Sequence, residues 1–83
     1  MVTIYTQDPC QPCRMTKAQF EKKGIVFQEI PIGQNPEARD AVLALGYMTA
    51  PVIVTENGHW GGFRPDKIAE LVAANKAAAS VLV

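Results

Sequence analysis

The sequence predicts one α/β domain in which three helices flank a four-stranded mixed sheet, in the order β-α-β-α-β-β-α. Three observations carry that expectation. Short β-branched and aromatic runs alternate with stretches whose apolar residues recur at helical spacing. Residues suited to helix starts and stops bracket those stretches. An Asn57-Gly58 pair then separates the last two strand-like runs, which is the strongest short-range hairpin signal. At 83 residues the chain makes a single domain over 1–83, and its 48% apolar content has to supply the core.

The elements follow in order. Val2 to Tyr5 is β-branched and aromatic, hence a strand, and Gln7-Asp8-Pro9 has turn chemistry. From about Pro12 to Lys23 a helix is expected, with Cys13, Thr16 and Phe20 on one face, Lys17, Glu21 and Lys22 turned outward, and Gly24 as the residue that ends it. Ile25 to Ile30 reads as the second strand. Asn35 caps a second helix with Pro36 at its first position and Glu37 in its first turn. Ala38, Ala41, Val42 and Leu45 then recur at helical spacing until Gly46 stops the run. Pro51 to Val54 is a short buried strand, and the Asn-Gly turn sends His59-Trp60 back as a fourth, antiparallel strand that Gly61-Gly62 breaks. Pro65-Asp66 opens a last helix with Ile68, Leu71 and Val72 toward the core, expected to loosen into a tail from about residue 77. Two crossover units would supply the first three strands and the hairpin an antiparallel edge. This is the thioredoxin-like arrangement.

The chain has two cysteines, Cys10 and Cys13, placed between the first strand and the first helix. Only a thiolate attacks a disulfide, and a free thiol with pKa near ~8.5 is mostly protonated at neutral pH. A helix N-terminus carries unpaired N–H groups and partial positive charge, which favour an anion there. Cys10, just outside the first turn, is therefore the expected attacking thiolate. Cys13, one turn in, is placed to resolve the mixed disulfide that Cys10 forms. Pro12 suits the first turn, where a missing N–H costs nothing. Lys17 would add positive charge on this face, and Asp8 would oppose it. A structural staple is a poor alternative, because so short a bridge closes almost no loop. A zinc site would need about four ligands, with His59 as the other soft donor; an iron–sulfur cluster shared across a dimer is the remaining metal reading. No resident cofactor is expected beyond the Cys10–Cys13 disulfide.

Two further segments point to partner binding. In Thr49-Ala50-Pro51 a proline enters a strand, and a cis Ala50–Pro51 bond there would offer the Ala50 backbone to an extended substrate. The alternative is an ordinary trans proline starting a strand. In His59-Trp60-Gly61-Gly62-Phe63-Arg64-Pro65, Trp60 and Phe63 either form a surface patch with Arg64 as an anionic anchor or fill the core while the glycines shape a turn. Eight basic and eight acidic residues leave no net charge, so nothing resembles a nucleic-acid surface. No membrane span and no signal peptide are evident, which points to the cytoplasm, and with no obvious dimerisation stripe a monomer is expected.

These residues together resemble the NrdH-type redoxins, glutaredoxin-like electron donors of class Ib ribonucleotide reductase. The resemblance runs from Val2 to about Leu71. It rests on Val2-Thr3-Ile4-Tyr5-Thr6, Pro36-Glu37-Ala38-Arg39-Asp40, Ala44-Leu45-Gly46-Tyr47, Ala50-Pro51-Val52 and His59-Trp60 with Gly62-Phe63-Arg64-Pro65-Asp66. The last segment resembles the family's Trp-Ser-Gly-Phe-Arg-Pro signature. Two positions depart from it: Gln11-Pro12 replaces Val-Gln between the cysteines, and Gly61 replaces Ser. Proline before the second cysteine is the thioredoxin pattern, which leaves a potential anywhere between roughly −270 and −200 mV. The resemblance implies a thiol–disulfide oxidoreductase reduced by thioredoxin reductase with NADPH and passing electrons to ribonucleotide reductase. It also implies a docking surface of Ala50, Pro51, Trp60, Phe63 and Arg64. The alternative within the same chemistry is a glutathione-dependent glutaredoxin. Gln7 stands against it, replacing the basic residue common before a glutaredoxin dithiol, as does Arg64-Pro65, which stands where glutaredoxins carry an acidic or serine residue.

Overall fold

The computed structural model describes residues 2–56 and 58–82, the segment 75–82 by its backbone alone. The strands are β1 (Val2–Thr6), β2 (Phe27–Pro31), β3 (Val52–Thr55) and β4 (Gly58–Gly61). The helices are α1 (Gln11–Lys22), α2 (Pro36–Ala44) and α3 (Pro65–Leu82), with a 3-10 turn at Ile32–Gln34 before α2. The sheet order is β2-β1-β3-β4, so the thioredoxin-like arrangement holds. Asn57 of the expected turn lies outside the described residues, as do the side chains of the segment expected to loosen.

Both α1 and α2 end in the same way, and the ending explains where the next segment starts. Past α1, the Gly24 N–H donates to the Glu21 carbonyl at 3.1 Å and the Ile25 N–H to the Phe20 carbonyl at 2.9 Å. Past α2, the Gly46 N–H donates to Leu43 at 3.0 Å and the Tyr47 N–H to Val42 at 3.2 Å. This paired pattern needs a left-handed residue, and Gly24 (φ 71°) and Gly46 (φ 95°) supply it. Ile25 thus closes α1 and packs with Phe20 in the core. That is why β2 begins at Phe27 rather than at the expected Ile25.

Register places the core. Ile4, Ile53 and Trp60 lie directly opposite one another across three strands, on one face of the sheet. Phe20 of α1 and Ile68 and Leu71 of α3 complete that cluster, with Phe20 and Ile4 fully buried and the Phe20 ring edge-on to Phe27 at 5.6 Å. The alternate residues face the other way, and there Val52 is buried along with Ala38 and Val42 of α2, none of them in the first cluster.

One expectation is corrected. β1-α1-β2 is a parallel crossover, but β3 runs antiparallel to β1, so only one such unit exists. The reason lies in where the chain re-enters the sheet. β2 ends at Pro31 opposite Thr6, and β3 begins at Val52 opposite Tyr5, both at the same end. The connection has to move the chain sideways by two strands, about 10 Å, and not back along the sheet. The 3-10 turn and a nine-residue α2 of about 14 Å suffice.

Candidate redox site

The end of the sheet shared by Thr6, Pro31, Val52 and Gly61 is where the cysteines sit. β1 leaves Thr6, the chain bends through Gln7–Pro9 with a cis Asp8–Pro9 bond, and Cys10 becomes the N-cap of α1 in extended conformation (φ −155°, ψ 102°). Its sulfur accepts the Cys13 N–H at 3.1 Å. That contact is the cap bond normally made by Ser or Asp to the third helical N–H. Pro12 falls at the second helical position and removes a donor that would have had no intrahelical partner. Cys10 and Cys13 form a disulfide with Cα atoms 5.2 Å apart. Cys10 is half-buried and Cys13 is buried at 2% exposure, so an incoming thiolate reaches Cys10 first. Below Cys13, the buried Thr16 hydroxyl donates to the Pro12 carbonyl at 2.8 Å and holds the first turn closed.

Two sides of the dithiol differ in character. Toward β2 lies a cavity of about 400 Å³ lined by both cysteines, Asp8, Arg14, Lys17 and Glu29, among others. Lys17 does not stand alone there: its ammonium donates to both Glu29 carboxylate oxygens at 3.1 and 3.2 Å, and the Thr6 hydroxyl donates to one of them at 2.8 Å. These contacts, the Thr6 hydrogen bond foremost, hold the Glu29 carboxyl below its ordinary value against partial desolvation. Glu29 was not among the residues singled out from the sequence. Its place beside Lys17 follows from the pairing of Ile4 with Glu29, which sets Glu29, Ile4 and Thr6 on the face that α1 covers.

Toward β3 and β4 lie the expected docking residues. Continuing the antiparallel register puts Pro51 beside Thr6, and the Gly62 N–H donates to the Pro51 carbonyl at 2.8 Å. Ala50 is half-buried, Pro51 is buried, and their peptide bond is cis. Phe63 is half-buried against the core and Arg64 is exposed. Arg64 already has a carboxylate partner, donating through Nε and Nη2 to Asp66 at 3.1 and 2.9 Å. Its guanidinium is raised above its ordinary value by that hydrogen bond, and Asp66 is correspondingly lowered.

Trp60 is a correction. It lies opposite Ile53, is 8% exposed and belongs to the core cluster, so its side chain forms no part of an exposed patch. Strand alternation is the cause: in β4 the residue opposite Ile53 has to share its face. His59, on the other face, has its Nδ1 2.7 Å from the Tyr47 hydroxyl, with the two rings edge to face at 5.4 Å. The Tyr47 ring also covers Gly61, where an added Cβ would come within 2.9 Å of Cδ1. Tyr47 therefore fills the space a serine side chain would take at that position. Among the described residues no group of three or more His, Cys, Asp or Glu side chains gathers as a metal site.

Comparison with known proteins shows the family. The glutaredoxin family model matches residues 2–60. The glutaredoxin-like protein NrdH of Escherichia coli (strain K12) is 39% identical over 79 residues, covering 95% of this chain and 98% of its own. That of Lactococcus lactis subsp. cremoris is 38% identical over 71 residues, 86% of this chain and 99% of its own. The chain belongs to the NrdH-type glutaredoxin-like family. A solved E. coli NrdH-redoxin, described as having a thioredoxin-like activity profile, superposes with TM-score 0.81 at 40% identity, covering 84% of this chain and 92% of its own. As a member of this family carrying the Cys10–Cys13 disulfide, the protein is a thiol–disulfide oxidoreductase. Among the described residues no helix is long and apolar enough to cross a membrane.

Proposed function

We propose that this redoxin delivers electrons to a class Ib ribonucleotide reductase and is recharged in the cytoplasm by thioredoxin reductase with NADPH. The observation that carries the reading is the Cys10 N-cap dithiol in a chain similar to NrdH proteins over almost its whole length. The thioredoxin-like profile described for the E. coli relative supports thioredoxin reductase as the source of electrons.

The chemistry needs only the two sulfurs. In the reduced protein the Cys10 thiolate, stabilised by the Cys13 N–H and the α1 N-terminus, attacks one sulfur of the acceptor disulfide. A mixed disulfide forms, and the acceptor's other sulfur leaves as a thiolate and takes a proton. Cys13 then loses its proton and attacks the Cys10 sulfur. The mixed disulfide breaks, the second acceptor sulfur leaves and is protonated, and the Cys10–Cys13 bond seen here is formed. Two electrons and two protons have passed to the acceptor, and thioredoxin reductase returns them from NADPH. Ala50, Pro51, Phe63 and Arg64 are the proposed docking surface, with an extended cysteine-bearing segment of the reductase along the Ala50 backbone.

The test is a reconstituted assay of class Ib reductase, thioredoxin reductase and NADPH, reading deoxyribonucleotide formed. Product should depend on this protein and vanish with Cys10→Ser. Failure of the wild-type protein to support turnover, while it still reduces a small disulfide, would refute the ribonucleotide reductase assignment and leave the thiol chemistry standing.

A further inference from the structure

We infer that Glu29 is a positioning residue that keeps the dithiol strongly reducing by neutralising Lys17 beside the sulfurs. The inference rests on the thiol–disulfide chemistry and not on which protein accepts the electrons.

Lys17 follows Cys13 by four residues on α1, so their Cβ atoms are about 6 Å apart on one helix face. Both residues line the cavity beside the disulfide, as does Glu29 from β2. The Glu29 carboxylate is fixed from two directions, by the Lys17 ammonium on both oxygens and by the Thr6 hydroxyl on Oε2. The other charged groups facing the cavity are Asp8 from the β1–α1 loop and Arg14 from α1. With Glu29 in place the cavity holds two acids and two bases. Without it Lys17 becomes an unopposed cation on the Cys13 face, and Coulombic attraction favours the thiolate. A better stabilised thiolate stabilises the reduced protein, and a disulfide whose reduced form is stabilised is a stronger oxidant. Glu29 thus pushes the pair the other way, toward donating electrons.

Glu29→Gln tests this well, because an amide keeps the acceptor for Thr6 and alters the charge alone. The pair is part-exposed, at 29% for Lys17 and 37% for Glu29, so screening limits the effect. The Cys10 ionisation constant, followed by thiolate ultraviolet absorbance against pH, should rise about threefold in Glu29→Gln. At alkaline pH, above the thiol pKa, the equilibrium with dithiothreitol should shift toward the reduced protein by the same factor, about 14 mV at 29.6 mV per tenfold. Lys17→Gln should shift both quantities the opposite way, and Glu29→Gln combined with Lys17→Gln should return them close to wild type. Unchanged titration and equilibrium in Glu29→Gln would overturn the proposal. A double variant that keeps the full shift of Glu29→Gln would also overturn it, since Lys17 would then not carry the effect.

Discussion

Cys10 has two jobs in the oxidised protein, as half of the disulfide and as the cap of α1 through the Cys13 N–H. Cys10→Ser retains a cap acceptor, so the helix should persist while disulfide reduction is abolished, read as loss of NADPH-coupled turnover with native far-ultraviolet dichroism. Cys13→Ser should instead leave a mixed disulfide on Cys10, visible by mass spectrometry; its absence would remove the resolving role. Gly61 belongs to this scale too. Introducing Ser there drives Cβ against the Tyr47 ring at 2.9 Å. A cost of about 1–2 kcal/mol is expected from overpacking, and urea midpoints should show it shrinking when Tyr47 is first changed to Ala. The cysteines, Pro12 and Asn35 were legible from sequence because each acts on its immediate neighbours. Trp60 was not, because whether it fills a core or a patch depends on which strand face it shares. The Lys17 partner was hidden for the same reason: Glu29 lies on another element and reaches it only through strand register.

Helix ends set where the next element begins. Asn35 caps α2 by accepting the Ala38 N–H at 3.1 Å, and Asn35→Ala should cost about 1 kcal/mol in denaturant unfolding. Gly46→Ala puts a Cβ in left-handed backbone at φ 95° and should cost about 1–2 kcal/mol. Because Gly46 sets the path into Tyr47, that variant should also disturb the nuclear magnetic resonance signals of His59 and Gly61. Glu29 of β2 adds a pH-dependent tie, through the Thr6 hydroxyl of β1 first and Lys17 of α1 second. The Glu29 carboxyl is lowered from 4.5 in the folded protein, so its contribution is present above about pH 4.5 and is lost as pH falls through the lower folded value. The stability difference between wild type and Glu29→Gln should therefore narrow as pH falls below about 4.5. Caps and stops were readable from sequence; strand and helix boundaries moved by about one residue, and by two at the start of β2, where Ile25 closed a helix instead of opening a strand.

For the whole molecule, one end of one sheet organises the function. Thr6, Pro31, Pro51 and Gly62 come together there from four parts of the chain, with the dithiol beside a charged cavity. The number, type and order of elements followed from periodicity and turn chemistry. The direction of β3 did not, because periodicity is blind to the end at which a strand enters a sheet. The central claim is that this NrdH-type site works with thioredoxin reductase and not with glutathione. The most direct measurement follows NADPH consumption with a disulfide acceptor, supplying either thioredoxin reductase or glutathione with glutathione reductase. Turnover with thioredoxin reductase alone is the expected result. Turnover that requires glutathione would contradict the account and make the protein a glutathione-dependent glutaredoxin.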